Sequence, residues 1–391
     1  MKVLSVSSGR ADVGILAPVW RALAGSGGVE LHVMLTGAHV SDDKAVRAVL
    51  PRNATGHTEG ADIAGRDGAA AADAMARIAD AAGRLGARLK PDRALLMGDR
   101  LDMLPAAMGL MPLNIPLAHL HGGELTYGAS DDRARHAITK LSHLHCAATL
   151  DSAERIARMG EESWRIAVTG APGLDSLTEA PVLEPATFAR ELGLDTANGL
   201  RLVTVHPETN VMAPLETVDA TLAALEDVPG PTLITAPNAD PGGIEARARI
   251  DAFLARNKQA VFRDTLGAVL YANALRHAAV MVGNSSSGVI EAGLFGLPVI
   301  NVGERQGGRL RGANVRDCAP DKSAIAKLLR DLPARFPHVT PYGDGHAAPR
   351  VAAFVTEPRD TGTLLFKRFA QEAARFTAPW NTSSPERQKH A

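Results

Sequence analysis

The residues able to do chemistry gather in a few glycine-rich loops. Residues 282–301 read VGNSSSGVIEAGLFGLPVIN: an apolar run stops at Gly283-Asn284-Ser285-Ser286-Ser287-Gly288, and a segment of helical spacing follows. Serine hydroxyls beside the free N–H groups of a first helical turn make a site for a phosphate. Glu291, about a turn further on, is placed to accept from ribose hydroxyls. Downstream, GERQGGRLRGANV adds Arg305, Arg309 and Arg311 among glycines, and arginine forks suit bidentate pairing with phosphate. Arg10, in the opening loop SSGRADVG, would close on the same ligand.

Acid–base groups sit in other loops. LMGDRLD puts Asp99 at the carboxyl end of an apolar run, where the competing reading of an Asp is a helix N-cap. The next run ends in HLHGGELTYGASDDRARHAITKLSHLH; Gly122 and Gly123 let backbone approach a ligand, and Glu124 follows at once. Asp131 and Asp132 are either acid–base groups or caps of a helix beginning near Arg133. Arg135 and His136 near that start oppose the helix dipole unless an anion is close. His119 with His121, and His143 with His145, alternate as on one strand face, so a metal site has to be considered. The Asp-x-His and Asn-His elements of a two-metal phosphoesterase are missing, and no metal is expected. In TVHPET, His206 ends an apolar run directly before Pro207, with reach across a domain cleft.

Short apolar runs, Gly- or Asp-rich turns and Ala-rich helical stretches must hold these loops. Strands are expected at Lys2–Val6, Leu31–Leu35, Arg93–Met97, Ile115–His119 and His145–Thr149. A second set is expected at Leu202–Val205, Thr232–Thr235, Ala260–Phe262, Val280–Val282 and Val299–Val302. Strands alternating with helices predict parallel sheets covered on both faces, with ligands at the carboxyl ends. The fold class is therefore α/β: two Rossmann-like domains facing a cleft. The expected division is 1–178, a linker around Leu177–Pro185 where Pro181 and Pro185 break helix, 186–358, a helix within 359–378 (Thr361–Arg375), and a disordered tail at 379–391.

Composition bounds the function. With 391 residues, 42 Lys and Arg against 43 Asp and Glu, and a net charge of −1, the chain lacks the basic excess of a nucleic-acid binder. The opening MKVLSVSSGRADVG turns polar too soon for a signal peptide, and no apolar run approaches a membrane span. Two cysteines, Cys146 and Cys318, in apolar strand-like contexts, read as buried thiols in a reducing cytoplasm. GxGxxG follows neither domain's first strand, and no acidic residue ends a second strand to hold a ribose. No nicotinamide or flavin cofactor is expected.

As a set and in order, SSGRADVGIL, MGDRLDM, HLHGGELTYGASDDRARHAITKLSHLH, TVHPET, PNADPGG and VGNSSSGVIEAGLFGLPVINVGERQGGRLRGANV resemble the hydrolysing UDP-N-acetylglucosamine 2-epimerases of sialic- and legionaminic-acid synthesis, over about residues 1 to 330. The resemblance implies a GT-B fold with UDP held chiefly by the C-terminal domain. It implies elimination of UDP with loss of the sugar's C2 proton to give a 2-acetamidoglucal, then addition of water at C1, releasing a free manno-configured sugar from UDP-GlcNAc or UDP-N,N′-diacetylbacillosamine. It requires neither cofactor nor metal. Asp99, His121, Glu124, Asp131 and His206 become the catalytic candidates, and Arg10, Asn238, Ser285, Ser286, Glu291 and Arg311 the UDP-binding ones, with His206 also matched to a contact with UDP or its diphosphate. By analogy with the family, a homodimer or dimer of dimers would form through the N-terminal domain, with the Ala-rich helix Ala69–Leu85 as a face.

The sequence departs from part of the family. Some relatives read His-Ile-Glu-Gly-Gly-Glu where this chain has His119-Leu120-His121-Gly122-Gly123-Glu124, so that either His121 or Glu124 would take the role of the first of those glutamates. Two rival readings share the phosphate loop: a GT-B UDP-sugar glycosyltransferase, and a non-catalytic nucleotide-sugar sensor. Carboxylates beside a diphosphate serve proton transfer and gain a pure anion binder nothing.

Overall fold

The computed structural model describes the chain apart from residues 64–67, 99, 126–129, 209–211, 238–241, 339, 372–375 and 381–391, and apart from the side chains of residues 10, 11, 130 and 131. The described chain forms two compact units, one from residues 1–125, 130–176 and 343–380 and the other from residues 177–342.

The first unit carries a seven-stranded parallel sheet in the order β3-β2-β1-β4-β5-β6-β7. Its strands are β1 (Lys2–Ser7), β2 (Glu30–Leu35), β3 (Ala54–Thr58), β4 (Arg93–Met97), β5 (Leu117–Leu120), β6 (Leu144–Ala147) and β7 (Ile166–Val168). Neighbouring residues of β1 serve opposite faces, as the two-residue repeat of a strand dictates. Val3 packs with Trp20, Leu23 and Val33 on one side, and Leu4 and Val6 pack with Ile78, Leu85 and Leu110 on the other. Runs buried on both faces explain why these strands read as continuous apolar stretches.

The second unit carries β8 (Leu200–Thr204), β9 (Thr232–Thr235), β10 (Ala260–Arg263), β11 (Ala278–Gly283), β12 (Val299–Val302) and β13 (Val315–Cys318), in the parallel order β10-β9-β8-β11-β12-β13. All ten expected strands are present, within three residues at each end. The three additional strands lie toward the sheet edges and are poorly apolar (ATGHT) or very short (IAV, VRDC). In each unit the strand order reverses beside the first strand, between β1 and β4 and between β8 and β11. The loops that diverge there leave the crevice in which open parallel sheets bind ligands.

The expected second-domain boundary at 358 is corrected. From Gly343 the chain belongs to the first unit, where helix Ala347–Thr356 buries Val351 and Val355 in the core with Trp20 and Leu16. Asp175 caps this helix, accepting from Ala347 N (2.9 Å) and Ala348 N (2.7 Å). The expected helix Thr361–Arg375 is also corrected: it spans Thr361–Leu365 and has ended before 366–371, and residues 372–375 lie outside the described residues. The buried Arg165 guanidinium takes the carbonyls of Thr363, Leu364 and Phe366, so the segment's acceptors go to a side chain instead of to helical N–H groups. Phe369 then lies against Gly160, at φ +86°, where a Cβ would collide with its ring.

The linker is pinned, not loose. Helix Gly173–Glu179 covers its start, and the buried Asn273 amide holds the rest, accepting from Leu183 N (2.9 Å) and donating to Pro181 O (2.8 Å). The Ala-rich helix spans Gly68–Leu89. Of the expected tail, residues 381–391 lie outside the described residues. No helix among the described residues is long and apolar enough to cross a membrane.

Candidate active site

In the second unit, strand β11 ends at Gly283, φ +135°, where a Cβ would collide with the Thr204 carbonyl of neighbouring β8; only glycine fits. Asn284 follows, fully buried. Its amide brackets the main chain of His206 beyond β8: Oδ1 accepts from His206 N at 2.8 Å and Nδ2 donates to His206 O at 2.9 Å. The Asn284 carbonyl in turn accepts from Gln306 Nε2 (2.9 Å) and Arg305 Nη1 (3.3 Å). One asparagine therefore joins the loops after β8, β11 and β12. It lies in the same Gly283–Gly288 stretch as the serines, where only the serines carried the sequence signal.

Ser285 is the N-cap of the short helix Ser286–Ile290, its hydroxyl facing Ser287 N at 3.4 Å. Glu291 stands just beyond that helix. Its Oε2 accepts from the Tyr271 hydroxyl at 2.9 Å, and Tyr271 also contacts the Ser287 hydroxyl. Burial pushes the Glu291 carboxyl up, and the hydrogen bonds from Ser287 and Tyr271 oppose that. Arg311 pairs with Asp317 at 2.8 Å and donates to Arg309 O, so its guanidinium is already engaged in the described structure. Glu208, two residues after His206, is buried against Gly303 at the end of β12 and accepts from Thr217 (3.2 Å). Asn238 lies outside the described residues.

In the first unit, the β1 loop is held by Asp12. Its Oδ2 accepts from Ser8 N (2.6 Å), Gly9 N (3.1 Å) and Ser8 Oγ (3.1 Å). These N–H groups are thus taken by the protein itself. Arg10 is the first residue of helix Arg10–Gly25. Asp99 lies outside the described residues, between two described anchors. Before it, the Gly98 carbonyl accepts from His119 Nε2 at 2.8 Å. After it, Arg100 approaches the buried Asp102 at 3.4 Å, whose carboxyl burial pushes up, with Arg100 opposing.

Strand β5 ends at Leu120, and His121 turns out of it with φ +58°. His119 and His121 do not share a strand face, as their alternation had suggested. His121 Nδ1 meets Glu124 Oε1 at 2.6 Å. His119 is buried between Gly98 O and Thr139 Oγ1 (3.2 Å). His145 spends its Nε2 on Glu161 (3.1 Å), and His143 Nδ1 accepts from Leu117 N (3.0 Å). No group of three or more His, Cys, Asp or Glu among the described residues is arranged to hold a metal ion.

The helix expected near Arg133 begins earlier, spanning Ser130–Leu141. Asp131 and Asp132 therefore occupy its first turn, where carboxylates are favoured by the dipole. Asp132 is the anion close to both side chains there, at 3.5 Å from Arg135 and 3.4 Å from His136.

Burial pulls His119 down to about 3 and His143 to about 4. Both are neutral when folded. The unfolded imidazoles take up a proton near 6.5, so the stability these sites hold above that pH is lost as pH falls from 6.5 toward 4. Each contributes about 1.4 kcal/mol per pH unit in that window. Denaturant midpoints should fall steadily from pH 7 to pH 5, and His119→Gln should flatten that slope by about one proton's worth. An unchanged slope would remove His119 from the account.

A protein-family model described as UDP-N-acetylglucosamine 2-epimerase matches residues 21–356. The chain belongs to the UDP-N-acetylglucosamine 2-epimerase family. It is 32% identical over 370 residues to the UDP-N,N′-diacetylbacillosamine 2-epimerase (hydrolyzing) of Legionella pneumophila, covering 89% of this chain and 94% of that one. It is also 32% identical, over 321 residues, to the GDP/UDP-N,N′-diacetylbacillosamine 2-epimerase (hydrolyzing) of Campylobacter jejuni, with 81% and 84% covered. The Methanocaldococcus jannaschii UDP-GlcNAc 2-epimerase, solved in complex with UDP-GlcNAc and UDP, superposes with a TM-score of 0.71 at 17% identity over 92% of this chain and all of that one. The family's GT-B-like fold of two parallel-sheet units is the one described above, and both switch-point crevices fall on the loops the sequence had singled out.

Proposed function

We propose that this chain is a hydrolysing UDP-sugar 2-epimerase that converts UDP-N,N′-diacetylbacillosamine or UDP-N-acetylglucosamine and water to UDP and the free manno-configured sugar, in the cytoplasmic synthesis of a nonulosonic acid. The observation that carries the reading is the match along most of the chain to two hydrolysing 2-epimerases. The free thiols of Cys146 and Cys318 agree with a reducing compartment. Exposed Met108, Met111 and Leu113, close to the Ala-rich helix, favour assembly as a homodimer or dimer of dimers through the first unit.

The roles divide by unit. In the second, the hydroxyls and main-chain N–H groups of Ser285 and Ser286, with His206, would hold the diphosphate, while Glu291, with Asn238, would take the nucleoside. Arg10 would add a cation from the first unit; Arg311 would have to leave Asp317 to do so. Asp99, His121, Glu124 and Asp131 would serve the sugar. Breaking the C1–O bond leaves oxocarbenium character that carboxylates stabilise, and removal and return of the C2 proton need positioned acid–base groups.

Proton NMR in deuterated water, with each nucleotide sugar and no added metal or nicotinamide, tests the reading. UDP and a free manno-configured sugar carrying deuterium at C2 are the expected products, and the faster substrate names the pathway. Intact nucleotides would refute it, and transfer to an added acceptor without a free sugar would favour a glycosyltransferase.

A further inference from the structure

We propose that His121 and Glu124 form an acid–base dyad in which the imidazole removes the sugar's C2 proton and the carboxylate only positions it. The proposal rests on the epimerase reading above and deepens it.

Several features of one turn converge on the His121 ring. Its Nδ1 lies 2.6 Å from Glu124 Oε1. An ionised carboxylate can only accept, so the neutral ring carries its proton on Nδ1 and leaves the lone pair on Nε2. That Nε2 is buried and has no hydrogen-bond partner among the described residues. A buried polar atom without a partner calls for an explanation, and a substrate proton supplies one.

The backbone is held in an unfavourable state to produce this arrangement. His121 sits at φ +58°, a left-handed conformation that non-glycine residues adopt rarely and that clusters at functional sites. The flanking turn enforces it. A Cβ on Gly122 would meet His119 Nδ1 at 2.8 Å, and one on Gly123, at φ +74°, would collide with the Ser152 carbonyl. Arg155 holds the Gly123 carbonyl, and His121 N donates to Cys146 O (3.2 Å). Carboxylate, imidazole and open nitrogen thus repeat the logic by which an orienting group fixes the tautomer of a histidine base.

The chemistry suits an imidazole. UDP departs with the C1–O electron pair, and the resulting oxocarbenium character acidifies C2–H, so a base of imidazole strength is sufficient. The C2–H pair closes the C1=C2 bond and the proton passes to Nε2. In hydration, water gives hydroxyl to C1, and its proton replenishes the separate acid that protonates C2 on the other face. His121 returns its proton to solvent, which matches the one proton the whole reaction releases as UDP gains a negative charge.

The decisive variant is His121→Gly in the full chain, because glycine accepts the left-handed backbone without penalty and leaves a cavity shaped for imidazole. UDP release should fall by about 100-fold or more, with melting temperature and UDP affinity maintained, and free imidazole should restore turnover saturably. Glu124→Gln, whose amide oxygen can still accept from Nδ1–H, should keep clearly more activity than Glu124→Ala, and the His121→Gly background should abolish that difference. Full activity of His121→Gly, failure of imidazole to rescue a folded, UDP-binding variant, or equal loss in Glu124→Gln and Glu124→Ala would each overturn the dyad. A wild-type chain that leaves both nucleotide sugars intact would overturn the epimerase reading and the dyad's role together; wild-type turnover with any of the other results would overturn the dyad alone.

Discussion

Asp99→Asn is expected to lower the rate of UDP release by about 10²–10⁴-fold while leaving UDP affinity nearly intact. The substitution keeps shape and some hydrogen bonding but removes a charge and a proton-transfer group. Asp99 lies outside the described residues, so the expectation rests on its place in the sequence and on its neighbours. It follows β4 at the first unit's switch point, directly after a glycine whose carbonyl is fixed by the buried His119. The proposed phosphate loop belongs to the second unit. Calorimetry with UDP and a turnover assay therefore separate the effects: normal turnover would remove Asp99 from the mechanism, and a parallel loss of UDP affinity would make it a binding residue.

Asn284→Ala should damage both stability and UDP binding. The native amide satisfies the N–H and the carbonyl of His206, and its truncation leaves two buried main-chain groups unpaired. Each such group costs roughly 1–3 kcal/mol, so the second unit's melting transition should fall by on the order of 10 °C. Because the same residue anchors the loops after β8, β11 and β12, UDP affinity should fall even at temperatures where the variant remains folded. A folded Asn284→Ala chain with unchanged UDP affinity would refute the assignment of UDP to this loop cluster. Differential scanning calorimetry and UDP titration at low temperature decide it.

Much of the architecture is legible in the chain because parallel strands buried on both faces are written as short apolar runs. All ten expected strands exist, and the loops picked out for chemistry follow their strands at the carboxyl ends, those after β1, β4, β8 and β11 flanking the two switch points. Local pattern misleads where a distant partner decides. Thr361–Arg375 has helical spacing, yet Arg165, about two hundred residues earlier in the chain, takes the carbonyls a longer helix would use. The spacing of His119 and His121 is that of one strand face, but β5 ends between them and the two rings do different things. The helix expected near Arg133 begins at Ser130, because a helix start is poorly marked in SDDRARH, and Asp131 and Asp132 fall inside its first turn.

The sequence by itself determined the α/β class, the duplicated sheet, the family and the short loops that carry polar chemistry, since each depends on residues near one another in the chain. Only the tertiary structure decided that the segment after Gly343 completes the first unit's core, that Asn284 ties three loops together, and that Glu124 reaches back to orient His121. Those outcomes depend on burial and on which hydrogen-bonding group finds which partner, and periodicity along a chain carries no information about either.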